Sequence, residues 1–278
     1  MPFRIVQSKQ NSRLKELRAA LARPGSGERG LAGIEGPNLL AEALQSGLAI
    51  DTVFVAQGSE RLLEGLQIPF NTEILALPPD VLTSALATET PQPIAALVQP
   101  PCWSWEHLLV QGREKTPFIL VLAGLQDPGN LGTILRSAEA FGATGIVALP
   151  GTVSAWNPKA VRASAGSVFR VPLLAVSERV CLDQLHESGV KILATAVQAA
   201  QSAELVDLAG PVALIIGNEG NGVAPELASR ADAAITIPCP GPVESLNAAV
   251  AASVLLYEAA RQRAAVGGWP AEYRGARR

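Results

Sequence analysis

Short apolar runs that pass directly into loops of glycine, proline and polar residues recur through the second half of the chain, and they leave few folds open. Phe118–Ala123, Val212–Ile216 and Ala234–Ile237 are too short for core helices and do not alternate polar with apolar residues. Runs of this kind fit strands covered on both faces of a parallel sheet. Further strands are expected at Gly145–Leu149, Val171–Ala175 and Lys191–Ala196, with helices at Thr133–Phe141, Pro158–Ala165, Leu182–Ser188 and Leu246–Arg263. Strands alternating with helices predict an α/β layer structure.

The first hundred residues repeat the alternation on a smaller scale. Leu14, Leu17 and Leu21 stand at helical spacing, and strands are expected at Gly30–Glu35, Thr52–Ala56, Glu73–Leu77 and Ile94–Val98. A helix at Asn38–Gln45 opens after Pro37 and stops at Gly47, the usual placement of these two residues. A proline-bounded segment separates the two series, and Trp103 and Trp105 within it suggest that part of it packs on something. The predicted organisation is therefore an α/β domain at 1–100, a linker at 101–116, a second α/β domain at 117–266 and a basic tail at 267–278.

Several function classes are excluded by composition. The uncharged apolar run Ala248–Tyr257 has ten residues, half of the roughly 20 that cross a bilayer. The amino terminus has no apolar core of a secretory signal. Three separated cysteines and two histidines suit neither a zinc site nor a disulfide framework. The expectation is a cytoplasmic chain with no membrane span and no metal. Net charge is −3, yet residues 1–29 carry seven bases against two acids and residues 261–278 five against one. These basic ends either solubilise the termini or track nucleic-acid phosphates.

Three loops concentrate the chemistry. Asp127-Pro128-Gly129-Asn130 follows the first strand of the second domain, and the helix after it carries Arg136. Gly217 to Gly222 reads GNEGNG after the strand ending at Ile216. Pro238, Pro240 and Pro242 follow the strand ending at Ile237, and Ser245-Leu246-Asn247 opens the last helix. Ligands of open parallel sheets bind outside the carboxyl ends of strands, where all three loops would lie. GNEGNG has the reverse spacing of the dinucleotide fingerprint and comes late in the domain, and no P-loop lysine is present, so neither nucleotide fold is expected.

In order and spacing the segments DPGNLGTILRSAEAFGA, IIGNEGNGV and SLNAAVAASVLLYE resemble the signature motifs of the SpoU family of RNA ribose 2′-O-methyltransferases, within the SPOUT superfamily. PKAVRASAGSVFRVPL resembles the family's intervening segment. IEGPNLLAEALQSGLAIDTVFVA is similar to the ribosomal-protein-like substrate-binding domain of many members. The resemblance implies a carboxyl-terminal SPOUT domain with a parallel sheet and a trefoil knot, preceded by a smaller α/β substrate-binding domain. It implies S-adenosylmethionine held by the backbone of Gly217, Ile237 and Leu246, and a homodimer with a shared active site. It also implies that Arg136 acts at the ribose hydroxyl, with Asn130, Glu219, Ser245 and Asn247 around it.

The chemistry agrees with those residue types. Methyl transfer is an in-line displacement that asks mainly for positioning and proton removal. Arginine is a poor base because its pKa exceeds about 12, so Arg136 is read as a clamp on phosphate that orients the hydroxyl. The expected substrate is large-subunit ribosomal RNA, with transfer RNA second. A non-catalytic RNA-binding assembly factor is the alternative, and an antibiotic-resistance methylase of the same family would share the chemistry. Pro93, where relatives often carry glycine, and the low basicity bear on target recognition.

Overall fold

The computed structural model describes residues 3–25, 27–86, 88–110, 116–199 and 201–268. The expected tail beyond residue 268 and part of the expected linker, residues 111–115, lie outside the described residues. The chain forms two compact units. One combines the chain up to Cys102 with Ser154–Arg170; the other combines Trp103–Val153 with the chain from Val171 onward.

In the first unit, β1 (Arg4–Ile5), α1 (Ser12–Ala22), β2 (Ala32–Glu35), α2 (Pro37–Gln45), β3 (Ile50–Ala56), β4 (Glu73–Leu77), α3 (Pro79–Thr83) and β5 (Ile94–Val98) follow in order. The five strands lie in the order β1-β4-β3-β5-β2, with β5 antiparallel to both neighbours. Asn11 Oδ1 accepts from the backbone of Arg13 and Leu14 and so starts α1. Leu14, Leu17 and Leu21 pack against Phe54, Leu82 and Leu97, which fixes that helix on the sheet. Gly33 lets it come close, since a Cβ there would lie 2.7 Å from Leu21 Cγ.

Much of the amino-terminal basic charge is answered inside this unit. Arg13 and Arg29 share Glu16 and Asp51, Arg4 and Arg13 share Glu73, and Lys9 pairs with Asp80. At least four of the seven bases in residues 1–29 thus meet carboxylates among the described residues, which weakens the reading of this segment as a free phosphate track.

The second unit begins with α4 (Trp105–Leu108) and continues through β6 (Phe118–Leu122), α5 (Pro128–Ala140) and β7 (Gly145–Ala148). The chain then contributes α6 (Pro158–Ser164) to the first unit, where α6 packs on β2 and Arg170 Nη1 donates to Glu42 Oε2 at 2.8 Å. Back in the second unit come β8 (Leu173–Ala175), α7 (Glu178–Glu187), β9 (Lys191–Thr195), β10 (Gln201–Ser202), β11 (Val212–Ile216), α8 (Pro225–Ala228), β12 (Ala233–Thr236) and α9 (Ala248–Gly267). Seven parallel strands run in the order β10-β12-β9-β11-β6-β7-β8. The centre of this sheet is dry: every residue of β6 is fully buried.

One local expectation gains detail and two change. The linker is in part structured, because the Ser104–His107 capping box starts α4 and its Leu108 is fully buried beside Val121 and Val147. Helix α5 begins at Pro128, five residues before the expected start, since Asp127 Oδ1 caps it through Asn130 N at 2.8 Å and the turn residues form its first turn. Arg263, counted with the basic end, is turned inward. It donates to the carbonyls of Thr116, Pro117, Leu208 and Gly210 and lies over the Phe118 ring, and burial lowers its pKa to about 10. No described helix is long and apolar enough to cross a membrane.

Leu108→Ala should destabilise the protein by about 2–5 kcal/mol, the cost of a buried leucine cavity. A urea midpoint unchanged from wild type would show that the segment before β6 is a passive tether.

Candidate active site

The strand order sets the position of the site. From β6 the chain moves outward through β7 and β8, whereas from β11 it moves the other way to β12, so the connections diverge between β6 and β11. Such a point leaves an opening at the carboxyl ends of the strands. The loops after β6, β11 and β12 all emerge at this end, with the end of β9 between those of β11 and β12.

The loop after β11 is a tight hairpin. Asn218 and Gly222 exchange backbone hydrogen bonds at 3.0 and 2.9 Å, and Gly222 holds a φ of +67°. Gly217 is required for close approach: a Cβ there would overlap backbone atoms of Gly222 and Val223. Asn218 Oδ1 accepts from Gly220 N at 2.8 Å, while its Nδ2 donates to Gly124 O at 2.8 Å in the loop after β6.

Glu219 joins the same two loops. Its carboxylate accepts from Gln126 N at 3.4 Å, Asp127 N at 3.3 Å and Asn130 Nδ2 at 3.0 Å. Partial burial pushes its pKa up, but hydrogen bonds from Asn130 and from backbone N–H groups outweigh this and hold it below the ordinary carboxylate value. Asn130 Oδ1 in turn accepts from Asn247 Nδ2 at 3.1 Å, and Asn247 Oδ1 accepts from Ala249 N and Val250 N, capping α9. One chain of hydrogen bonds thereby links all three loops, and the amide orientations are those that satisfy every partner.

Beside this chain opens a cleft of about 880 Å³. Gly217, Ile237 and Leu246 line it together with Glu219 and Ser245, and Val197 and Leu255 supply apolar wall. Among the described residues its charged lining consists of two carboxylates, Glu219 and Glu244, without lysine, arginine or histidine. The backbone from Pro240 to Leu246 makes no hydrogen bond among the described residues. A long apolar-walled cleft with uncommitted backbone donors and acceptors and a negative lining suits an aromatic ligand carrying positive charge. Among the described residues no group of three or more His, Cys, Asp or Glu side chains is placed to hold a metal.

Of the residues singled out from the sequence, Asn130, Glu219 and Asn247 are brought into direct contact, and Ser245 faces the cleft. Ser245 does not cap α9; that role falls to Asn247 alone, two residues later. Arg136 lies on α5 six residues beyond Asn130, about 9 Å along the axis. It is exposed and makes no hydrogen bond or ion pair with the described residues. Sequence reasoning missed Asn218, whose place inside the glycine-rich loop was its one visible signal, and missed the end of β9, where Thr195 and Val197 form cleft wall.

The fold and the three cross-linked loops define a parallel-sheet protein with a ligand cleft built of backbone and motif side chains. Residues 117–257 match the SpoU rRNA methylase family and residues 11–96 match the MRM3-like substrate binding domain. The chain belongs to the SpoU rRNA methylase family. It is similar to the 23S rRNA (guanosine(2553)-2′-O)-methyltransferase RlmP of Bacillus subtilis, with 33% identity covering 91% of this chain and 97% of that protein. Among solved structures it resembles the SpoU methyltransferase AviRb from Streptomyces viridochromogenes, with a TM-score of 0.80 and 29% identity over 92% of this chain and 99% of that one. An AdoMet-bound rRNA methyltransferase from Sinorhizobium meliloti gives a TM-score of 0.78 at 30% identity, covering 93% of this chain and 98% of that one.

Gly217→Ala should abolish ligand binding in the cleft, because the methyl group meets backbone that cannot rotate away; titration calorimetry showing unchanged affinity would contradict the close approach. Glu219→Gln should weaken the protein at neutral pH. Because the folded-state pKa of Glu219 is depressed, its contribution is present at neutral pH and is lost as pH falls through that value. The stability difference between wild type and variant should therefore shrink on acidification, as read by urea unfolding at several pH values.

Proposed function

We infer that the chain is an S-adenosylmethionine-dependent methyltransferase that modifies a ribose 2′-hydroxyl of large-subunit ribosomal RNA. The observation that carries this reading is the glycine-floored cleft joined to the Asn130–Glu219–Asn247 hydrogen-bond chain, within a stretch that matches the SpoU rRNA methylase family throughout. An enzyme is favoured over a binding-only assembly factor because the family match and the relatives are methylases. The relative RlmP is named for a guanosine, so a guanosine ribose of 23S ribosomal RNA is the first substrate to test.

The cleft fits the cofactor. S-adenosylmethionine, when bound, supplies an electrophilic methyl group on a cationic sulfonium. The backbone of Gly217, Ile237 and Leu246 would hold it, with apolar walls for the adenine and the carboxylates of Glu219 and Glu244 favouring positive charge. Arg136 is the group left free to meet RNA. Its guanidinium clamps a phosphate and orients the neighbouring 2′-hydroxyl, and the phosphate is the better proton acceptor of the two. Asn130 has both ends of its amide engaged, so it positions the loop rather than binding ribose. Ser245 makes no hydrogen bond among the described residues and is placed to touch substrate.

The domain roles follow. Residues 1–100 serve as the RNA-binding domain and the SPOUT domain at 117–266 as the catalytic one, with the loops after β11 and β12 forming its knot. The active unit is a homodimer. Its support is an exposed apolar strip of α9, Val250, Val254 and Tyr257, with Tyr257 packed edge-on against Phe141, the residue that follows α5. Ser137 and Ser253 hydroxyls join the two helices beneath it at 2.8 Å. The enzyme works in the cytoplasm and uses no metal.

Arg136→Ala should lower methyl transfer to ribosomal RNA by about 100-fold or more while leaving the cofactor Kd nearly unchanged. Near-normal turnover would remove Arg136 from the mechanism. Val254→Asp with Tyr257→Asp should convert a dimer to a monomer by light scattering; a wild-type monomer would refute the shared site.

A further inference from the structure

Asn218 belongs to none of the roles assigned above, yet both ends of its side-chain amide are committed at the site. Its Nδ2 reaches Gly124 O at 2.8 Å, and its Oδ1 takes Gly220 N at 2.8 Å and Asn221 N at 3.4 Å. Its main chain is pinned on both sides to Gly222. Residues 217–222 line the cleft, whereas residues 124–127 do not. Yet residues 124–127 lead into α5, which carries Asn130 and Arg136, and they also donate two backbone N–H groups to Glu219.

We propose that Asn218 is a positioning residue: it latches the cofactor-side loop after β11 to the substrate-side loop after β6, so that cofactor in the cleft orders the start of α5. The chemistry requires an amide. Oδ1 faces donors and Nδ2 faces a carbonyl, so the side chain must carry its acceptor and its donor on two separate atoms that reach different loops, as an amide does and the single, shorter serine hydroxyl does not. An aspartate has the same shape and keeps the acceptor, but it would set a carboxylate oxygen against Gly124 O. The bond to Gly124 O is also the latch's link to the buried sheet: Gly124 N is held by Thr152 Oγ1, and that hydroxyl donates to Leu122 O at the end of β6. A change in the position of Asn218 is thus passed to the loop that donates to Glu219 and leads into α5.

This inference rests on the proposed cofactor site and is tested beside it. The full-length protein is titrated with S-adenosylmethionine and with S-adenosylhomocysteine, as wild type, Asn218→Asp and Asn218→Ser. Amide hydrogen exchange over residues 124–127 is followed with and without S-adenosylhomocysteine. The latch predicts that both variants bind each ligand at least about tenfold more weakly while remaining folded by circular dichroism. It also predicts that ligand slows exchange at Gln126 and Asp127 in wild type and does so less in Asn218→Asp. Variant affinities within about twofold of wild type, the size of effect expected of a bond that does no positioning, would overturn it. Exchange at residues 124–127 that ignores ligand in a wild type that binds would overturn it equally, and needs no variant to fold. A wild type that binds neither ligand would instead overturn the proposed function, and the latch with it.

Discussion

The site depends on a hydrogen-bonded seam between two loops that are neighbours in the sheet but ninety residues apart in the chain. Strands β6 and β11 are paired in register from Phe118–Val212 to Leu122–Ile216, so their following loops leave side by side. Asn218 and Glu219 then close the seam with bonds to Gly124, Gln126, Asp127 and Asn130. Two backbone N–H groups of one loop are held by a single carboxylate of the other, which is a favourable charge-assisted arrangement. With the seam closed at the switch point, the opening is displaced toward β9 and β12, and the cleft forms there.

That displacement separates two chemical tasks. In the proposed reading the cofactor is met mostly by backbone and apolar groups, drawn from the loops after β11 and β12. On the substrate side, in the same reading, lies Arg136 of α5, which is exposed and has no hydrogen bond or ion pair among the described residues. Elsewhere arginines are consumed: Arg13 and Arg29 in a carboxylate network, Arg263 against four carbonyls. Sequence-wide charge is therefore a poor measure of RNA affinity in this protein, because the same residue type spends its charge on structure at some positions and offers it to solvent at others.

Much of the architecture was legible in the sequence. Continuous apolar runs marked β6, β11 and β12, and proline and glycine punctuation marked the loops after them. The motif resemblance singled out Asn130, Glu219 and Asn247, which proved to touch. Less legible were features decided by distant partners. Leu108 lies in a segment that reads as a linker, and its burial comes from the space left by Gly145, 37 residues later. The capping role of Asp127 lengthened α5, since a turn motif and a helix start share the same residue types. The excursion Ser154–Arg170 reads as part of the second domain and packs with the first.

What the sequence by itself determined was the set of strands, their loops and the residue types available for chemistry, because burial periodicity and turn propensity are local properties. What only the tertiary structure decided was which loops meet. The order of strands in a parallel sheet depends on non-local pairing, which leaves no local trace in the chain. That order set Glu219 beside Asn130 and left Arg136 exposed. It also gave Asn218, unremarkable in a glycine-rich stretch, a donor and an acceptor in two different loops.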